Sequence, residues 1–382
     1  MRFALYYPYL YLRGGIERTI LNQITASRNE WLVFTNHYDR EQTFQEFKKF
    51  DVKEINWIPV KRTYAKVCIA LTTILRTSLP LSDCRALLVH TEGLGDLTTF
   101  LNREKPVVAY CHTPLKVIHD DAAKGSYLAA NPAFHIPYFL CSRLFCFVDR
   151  LAWKHYKHVF CNSDEVRERI LRAGLCDRSA IEVLHPGVDT NIFFPGEEYQ
   201  DYFVLPTRLK WWKNIELAIE SFKIFCDEET SARRFKLIIA GQLDAGSDAY
   251  YKRLLNLSSH NDRIVLVVNP SEEDFVNLIR KSYAVLNTTL NEDWGLVPLE
   301  ANACARPVIG VKAGGLVESQ TNHETALLVE PTPRHFADAM VELVRDKVLT
   351  EKIRMHGRRN ALRYSWKSFA DRIDTYMESI CS

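Results

Sequence analysis

A chain of 382 residues with 47% hydrophobic and 25% charged content has the composition of a soluble globular protein, and its length suits two domains, since single cores rarely grow past about 250–300 residues. A formal net charge of +2 supplies no global field for a nucleic-acid partner, and no run of about 18 uncharged apolar residues offers a membrane span.

The apolar start, Met1 to Leu12, runs at once into Arg13, Glu17 and Arg18. It lacks the basic start and cleavage site of a signal peptide and reads as a first buried strand. In chain order, strands are expected at Arg2–Tyr7, Trp31–Thr35, Glu54–Ile58, Ala86–His90, Val107–Tyr110, Val159–Cys161 and Ile181–Leu184. Helices are expected at Glu17–Ala26 and Asp164–Ala173, the second capped by Ser163 and closed by Gly174. The Pro- and Gly-containing stretch from Gly187 to Gln200 reads as a linker, with Asp189 holding its turn. The pattern then restarts with strands Tyr202–Leu205, Phe235–Ala240, Ile264–Val268, Tyr283–Thr288, Val308–Val311 and Ala326–Leu328. Helices Asn214–Phe225, Tyr250–Leu257, Glu272–Lys281 and Trp366–Ile380 complete it, the last with Phe369, Ile373, Tyr376 and Met377 on one face. Alternation of this kind implies two doubly wound, mostly parallel α/β sheets. Ten cysteines are scattered, most of them in apolar runs such as those holding Cys68, Cys111, Cys161 and Cys226. With no Cys-x2-Cys pair and no His-Glu-x2-His, they read as buried free thiols in a reducing cytoplasm and not as a metal site.

The segment Glu292-Asp293-Trp294-Gly295-Leu296-Val297-Pro298-Leu299-Glu300 carries the most chemistry. A buried strand precedes it, and helix formers follow from Leu299 to Ala305 before Pro307 and Gly310 stop them. Strand, glycine turn and helix in this order put free backbone N–H groups at the carboxyl edge of a sheet, where anionic ligands bind. Glu292 falls on the turn and Glu300 about two turns into the helix, so both can accept hydrogen bonds from sugar hydroxyls while the N-terminus faces a phosphate. The plain alternative is one acid favouring the helix dipole and one solvated helical Glu. Arg208 and Lys213 follow the first strand of the second half, where a turn leading into a helix can aim cations at a phosphate. A solvated basic loop is the alternative there, and Lys210 could share the task. His112 ends a strand at a carboxyl edge, as a site residue or a structural one. Gly14-Gly15 provide close backbone approach and positive φ. Gly-x-Gly-x2-Gly and Gly-x4-Gly-Lys are both absent, against a dinucleotide oxidoreductase and an NTPase.

Glu-x7-Glu in this setting resembles the signature of retaining GT-B glycosyltransferases of family 4. Further matches follow in order: Arg13-Gly14-Gly15-Ile16-Glu17-Arg18, Tyr110-Cys111-His112-Thr113-Pro114, Cys161-Asn162-Ser163, His185-Pro186-Gly187-Val188-Asp189, Arg208 with Lys213, and Gly314-Gly315 with Glu318. The resemblance implies an α/β GT-B fold of two Rossmann-like, doubly wound domains facing a cleft. Residues 1–190 would form the acceptor side, 191–365 the nucleotide-sugar side, and 366–382 a terminal helix crossing back to the first domain. It implies a retaining, metal-independent hexosyltransferase with no cofactor beyond its nucleotide-sugar substrate. Arg208 and Lys213 would hold the diphosphate, and Glu292 with the backbone of Gly295, Leu296 and Val297 the sugar. Glu300 would bind the ribose, and His112 the primary hydroxyl of the sugar. Gly14 and Gly15 would approach the donor, while Gly314, Gly315 and Glu318 would support the helix near the acceptor; Glu318 is equally readable as a helix-start acid.

Tyr-Cys-His-Thr-Pro is similar to bacterial and eukaryotic mannosyltransferases, which favours GDP-mannose as donor. The acceptor would be a glycan or lipid-linked glycan in polysaccharide biosynthesis, in the cytoplasm or at the inner face of a membrane, with no nucleic acid involved. Three departures from the family pattern stand out. Gly241-Gln242-Leu243 lacks a second glycine, Asn269 stands where another is usual, and Trp294 replaces Phe or Tyr. The first two border the nucleobase pocket, so a UDP-sugar donor stays open, as do a nucleotide-sugar isomerase or hydrolase and a silent glycan-binding subunit. The insert from Lys116 to Ala152, with Tyr127, Phe134, Tyr138, Phe139, Phe145 and Phe147, flanking Trp153, and Arg143 and Arg150, reads as an acceptor or membrane-facing surface or as a packed helical pair.

Overall fold

The computed structural model describes residues 1–60, 64–121, 124, 125, 128, 135–196, 198–243, 246–259 and 261–381; Tyr127 and Phe134 fall outside them. The chain divides into two compact units, Met1–Gly187 with Trp366–Ser382, and Val188–Ser365.

The first unit begins with β1 (Arg2–Tyr6), β2 (Tyr9–Leu10), α1 (Gly15–Ala26), β3 (Glu30–Thr35), β4 (His37–Tyr38), β5 (Asp51–Glu54) and α2 (Tyr64–Leu75). It continues with β6 (Leu87–Thr91), β7 (Val107–Cys111), α3 (Lys116–His119), α4 (His135–Trp153), β8 (Tyr156–Cys161), α5 (Asp164–Arg172) and β9 (Ile181–Val183). Among the described residues seven parallel strands form one sheet in the order β5-β3-β1-β6-β7-β8-β9. The central strands are buried along their whole length, as Leu-Leu-Val-His-Thr in β6 and Val-Val-Ala-Tyr-Cys in β7 require of a sheet covered on both faces. The expected strand at Glu54–Ile58 lies instead at Asp51–Glu54, paired with Leu32–Thr35 of β3. Asn56 takes a left-handed conformation (φ 50°) that ends the strand before Ile58, which turns into the core.

The second unit runs through β10 (Tyr202–Pro206), α6 (Ile215–Glu228), β11 (Lys236–Gly241), α7 (Asp248–Ser258), β12 (Ile264–Val268), α8 (Glu272–Arg280), β13 (Ala284–Asn287) and α9 (Leu296–Ala303). It ends with β14 (Val308–Val311), α10 (Leu316–Ser319), β15 (Leu327–Val329), α11 (Pro333–Arg345) and α12 (Lys347–Ala361). Its parallel sheet has the order β12-β11-β10-β13-β14-β15. No expectation from sequence covered α2, α11 or α12.

The last helix, α13 (Trp366–Ser379), belongs to the first unit. Phe369, Ile373 and Met377 are buried, and Phe369 meets the ring of Tyr110 edge-on. Asp374 accepts from Ser27 Oγ (2.7 Å) and from the Arg28 backbone N–H (2.9 Å), and Arg372 pairs with Glu182. Of the four cysteines singled out above, Cys111 and Cys161 are buried, Cys226 is half-buried and Cys68 is exposed on α2.

Candidate active site

Strand order in the second sheet reverses between β10 and β13, each the other's neighbour at the switch point where open α/β sheets bind ligands. Both carboxyl ends there lead into the segments singled out by sequence. After β10, Thr207 N–H donates to Ala240 O (2.8 Å) and Leu209 N–H to Gln242 O (2.9 Å), which pins the basic loop to the end of β11. The fit admits only glycine at 241: a Cβ there would stand 1.7 Å from Thr207 O. A 3₁₀ turn over Trp211–Lys213 follows, and Thr288 Oγ1, just past β13, donates to Lys213 O (2.7 Å). The two loops are thereby joined, and Lys213 Nζ donates to Glu292 Oε2 at 3.0 Å with each side chain 19% exposed. The Arg208 side chain is half-buried and, among the described residues, makes no hydrogen bond or ion pair. Lys210 lies over the Trp212 ring.

Gly295 takes φ 92° and caps α9, so the N–H groups of Gly295, Leu296 and Val297 have no partner within the helix. α9 starts at Leu296, three residues before the expected Leu299, and Glu300, its fifth residue, lies about one turn into it, not two, and is buried. Gly314 and Gly315 pack on the Glu292 turn. Gly315 N–H donates to Glu292 O (2.8 Å), and a Cβ on either glycine would come within 2.5 Å or less of Glu292 O or Asp293 O. This pair therefore supports the turn carrying Glu292. Trp294 is buried, edge-on to Tyr364, and Ser319 Oγ donates to its carbonyl. Glu318 lies in the single turn of α10, half-buried, a position that suits either of its readings.

Asn269, at the place of a usual glycine, adopts φ 52° and accepts from Leu243 N–H through Oδ1 (3.0 Å). Asparagine tolerates the left-handed region better than other non-glycine residues, so the loop geometry survives the departure. Asp189 holds a turn as expected, accepting from Asn191 N–H through Oδ1 (2.9 Å).

In the first unit two sequence motifs meet at His112. Its N–H donates to Thr91 O (2.9 Å) and its carbonyl accepts from Asn162 Nδ2 (2.9 Å). Ser163 caps α5, accepting from Val166 N–H, and buried Arg169 donates to Thr113 Oγ1 (2.6 Å). The ring of His112 is 3.0 Å from His90 Nδ1 through Nε2, and His90 Nε2 is 2.8 Å from Gln23 Oε1. Burial lowers His112 to about 3 and His90 well below the ordinary imidazole value, so both rings are neutral. Gly14 caps α1 with φ −97°, so the expected positive φ is not used, and β2 separates the glycines from β1. Close approach is what remains: a Cβ on Gly14 would lie 2.6 Å from Glu17 Oε2. Sequence reasoning missed Gln23 and His90; a histidine next to the apolar Ala86–Val89 run was the available signal.

Two doubly wound units, each with polar groups gathered at the carboxyl ends of its central strands, define the class. Glycosyltransferase Family 4 matches residues 13–192 and Glycosyl transferases group 1 matches residues 189–361, and the chain belongs to this family of GT-B glycosyltransferases. It is 25% identical to the human alpha-1,3/1,6-mannosyltransferase ALG2 over 393 residues, covering 96% of this chain and 93% of that protein. Identity to the Dictyostelium discoideum ALG2 is 22% over 420 residues, covering 100% and 98%. Anabaena HepE, solved with UDP and glucose, shares the fold with a TM-score of 0.77 at 17% identity, over 99% of this chain and 100% of that one.

Proposed function

We propose that this glycosyltransferase moves mannose from GDP-mannose to a lipid-linked glycan, with retention of configuration and without a metal. The observation that carries the reading is the Lys213–Glu292 pair, held beside the α9 N-terminus by Gly314-Gly315, with the unpaired Arg208 guanidinium on the same basic loop. Cations and free N–H groups suit a diphosphate, and a carboxylate suits sugar hydroxyls. That the ALG2 relatives are alpha-1,3/1,6-mannosyltransferases supports mannose. In the step itself the anomeric C–O bond to phosphate breaks and its electrons leave with GDP, whose charge Arg208, Lys213 and the helix N–H groups stabilise. The acceptor oxygen bonds to the anomeric carbon on the same face, and its proton passes to the departing phosphate oxygen. Glu300 would bind the ribose and His112 the primary hydroxyl of the sugar.

The lipid-linked acceptor is supported by α4. Phe139, Leu140, Leu144 and Phe147 share one face of this helix and are 55%, 62%, 66% and 61% exposed, with Arg143 among them. Such a face suits a bilayer interface, while no helix among the described residues is long and apolar enough to cross a membrane.

The test is turnover of GDP-mannose, UDP-glucose and UDP-N-acetylglucosamine with and without EDTA, with a dolichol- or undecaprenyl-linked glycan as acceptor and the product anomer read by NMR. Mannose transfer with an α product and no effect of EDTA is expected. Donor breakdown at full rate without acceptor would favour a hydrolase or isomerase, and tight donor binding without turnover a silent subunit.

A further inference from the structure

Gln23, His90 and His112 form a continuous chain of ring and amide contacts with one acceptor-only end. Gln23 and His90 are wholly buried, and His112 is 6% exposed. Gln23 Oε1, an acceptor, faces His90 Nε2 at 2.8 Å, so His90 carries its proton on Nε2 and leaves Nδ1 bare. His90 Nδ1 faces His112 Nε2 at 3.0 Å, so His112 in turn carries its proton on Nε2. The tautomer of the second ring thus follows from the amide two links away. His112 Nδ1 makes no hydrogen bond among the described residues and is left as a lone pair. A bare Nδ1 can accept from a hydroxyl and cannot donate to a phosphate oxygen.

We propose that Gln23, acting through His90, is a positioning residue that sets His112 in the Nε2–H tautomer and thereby makes its Nδ1 the acceptor for a hydroxyl of the transferred sugar. The chain is oriented by three different elements. Gln23 lies on α1, His90 at the end of β6 and His112 just past β7, whose pairing places His90 opposite Tyr110. The rings of His90 and His112 lie 5.2 Å apart at 34°, and Tyr110 closes on both, at 5.2 Å and 5.0 Å, so neither ring can turn without displacing a packed aromatic. The backbone of His112 is fixed independently by Thr91 O and Asn162 Nδ2. In this orientation the Gln23 Nε2 is buried without a partner, so the amide meets the chain through its oxygen alone. The inference rests on the reading of His112 as a contact of the transferred sugar, and goes beyond it by assigning the direction of that hydrogen bond and the residue that sets it.

The decisive measurement needs no variant beyond an assignment control: histidine-selective 15N labelling of the whole chain and long-range 1H–15N spectra at neutral pH, with His112 assigned by its loss in His112→Asn. A protonated Nε2 with a pyridine-type Nδ1 is expected, and the reverse pattern overturns the proposal. Gln23→Leu removes the acceptor at similar size and should mix the two tautomers, while Gln23→Glu keeps an acceptor and should preserve the wild-type pattern. In mannosyl transfer from GDP-mannose, Gln23→Leu should lose about tenfold in kcat with little change in KM, as expected for an interaction realised mainly in the transition state. Gln23→Glu should restore most of the rate, and with the 6-deoxy donor GDP-rhamnose the difference between the wild type and Gln23→Leu should vanish. An unchanged tautomer in Gln23→Leu overturns the proposal even if activity falls. A shifted tautomer with unchanged kcat in both Gln23→Leu and His112→Asn removes the sugar contact itself, and the positioning role with it.

Discussion

Lys213 Nζ and Glu292 Oε2 lie 3.0 Å apart although 79 residues separate them in sequence. Each follows one of the two strands that flank the switch point of the second sheet, and Thr288 ties the two loops together through Lys213 O. In this arrangement Glu292 competes with any diphosphate for the same ammonium group. Glu292→Gln should therefore bind GDP several-fold more tightly by calorimetry while mannosyl transfer drops by about 100-fold or more, the scale of losing one aligned polar contact in a transition state. Lys213→Met should weaken GDP and transfer together. The pair is only partly exposed, so either change should cost about 1–2 kcal/mol of stability, too little to explain the rates. Normal turnover in Glu292→Gln would remove the role given to this carboxylate.

Gly241 offers a second check on the basic loop. Gly241→Ala places a methyl group where Thr207 O now sits, and the loop carrying Arg208 must move as a body. A loss of GDP affinity of tenfold or more is expected, with a lower Tm. Gly125, which has open space around its would-be Cβ, is the control, and Gly125→Ala should leave both quantities unchanged. Equal behaviour of the two variants would uncouple the loop from nucleotide binding.

The exposed face of α4 predicts an effect on membrane association alone. Leu144→Glu with Phe147→Glu puts two charges on residues already in water, so Tm should hold within about 2 °C. Flotation with vesicles of neutral and anionic phospholipid should fall sharply, and transfer to a lipid-linked acceptor with it, while a soluble oligosaccharide acceptor is used as before. Undiminished flotation would place the lipid contact elsewhere.

Asp149, on α4, gives a pH signature. Its carboxylate is buried, both oxygens lack a hydrogen-bond partner, and His119 Nε2 stands 3.6 Å from Oδ2. That approach is not an ion pair at neutral pH, because burial lowers His119 to about 4 and raises Asp149 to about 7. A carboxyl with a raised folded value contributes stability that is complete below about pH 4, its unfolded value, and is lost as pH rises through 7. Asp149→Asn removes this loss. It should melt higher than the wild type at pH 8 and lose that advantage toward pH 4.5, by about 1 kcal/mol per pH unit across the window. A difference that does not change with pH would show that Asp149 stays ionised in the folded chain.

Both sheets are readable in the amino-acid sequence because their central strands are apolar on both faces. Val308–Val311, inside the second sheet, begins and ends where its apolar run does. At the sheet edge the rule weakens, and β5 lies at the polar Asp51–Glu54 because only one side of it needs burial. α12 is disguised by Gly357 in its interior, which is required by contact with Asn302, at 2.7 Å from a Cβ, and that contact exists only once the unit is folded. The positions of Arg208, Lys213, Glu292 and the two glycine pairs were visible as motifs. The Lys213–Glu292 pairing and the Gln23–His90–His112 chain were not, since strand order decides which loops become neighbours and no local pattern encodes it.

The docking of α13 on the first unit sets an order in which the molecule can be completed. Residues 188–365 all leave the ribosome before Trp366 does, so the second unit is whole while the first still lacks a helix. During that interval the seats of Phe369, Ile373 and Met377 stand in water, and Ser27 and the Arg28 N–H wait for Asp374. The half translated first is therefore finished last. A stop just before Trp366 strips α13 from the unit that bears His112 and leaves residues 188–365 intact.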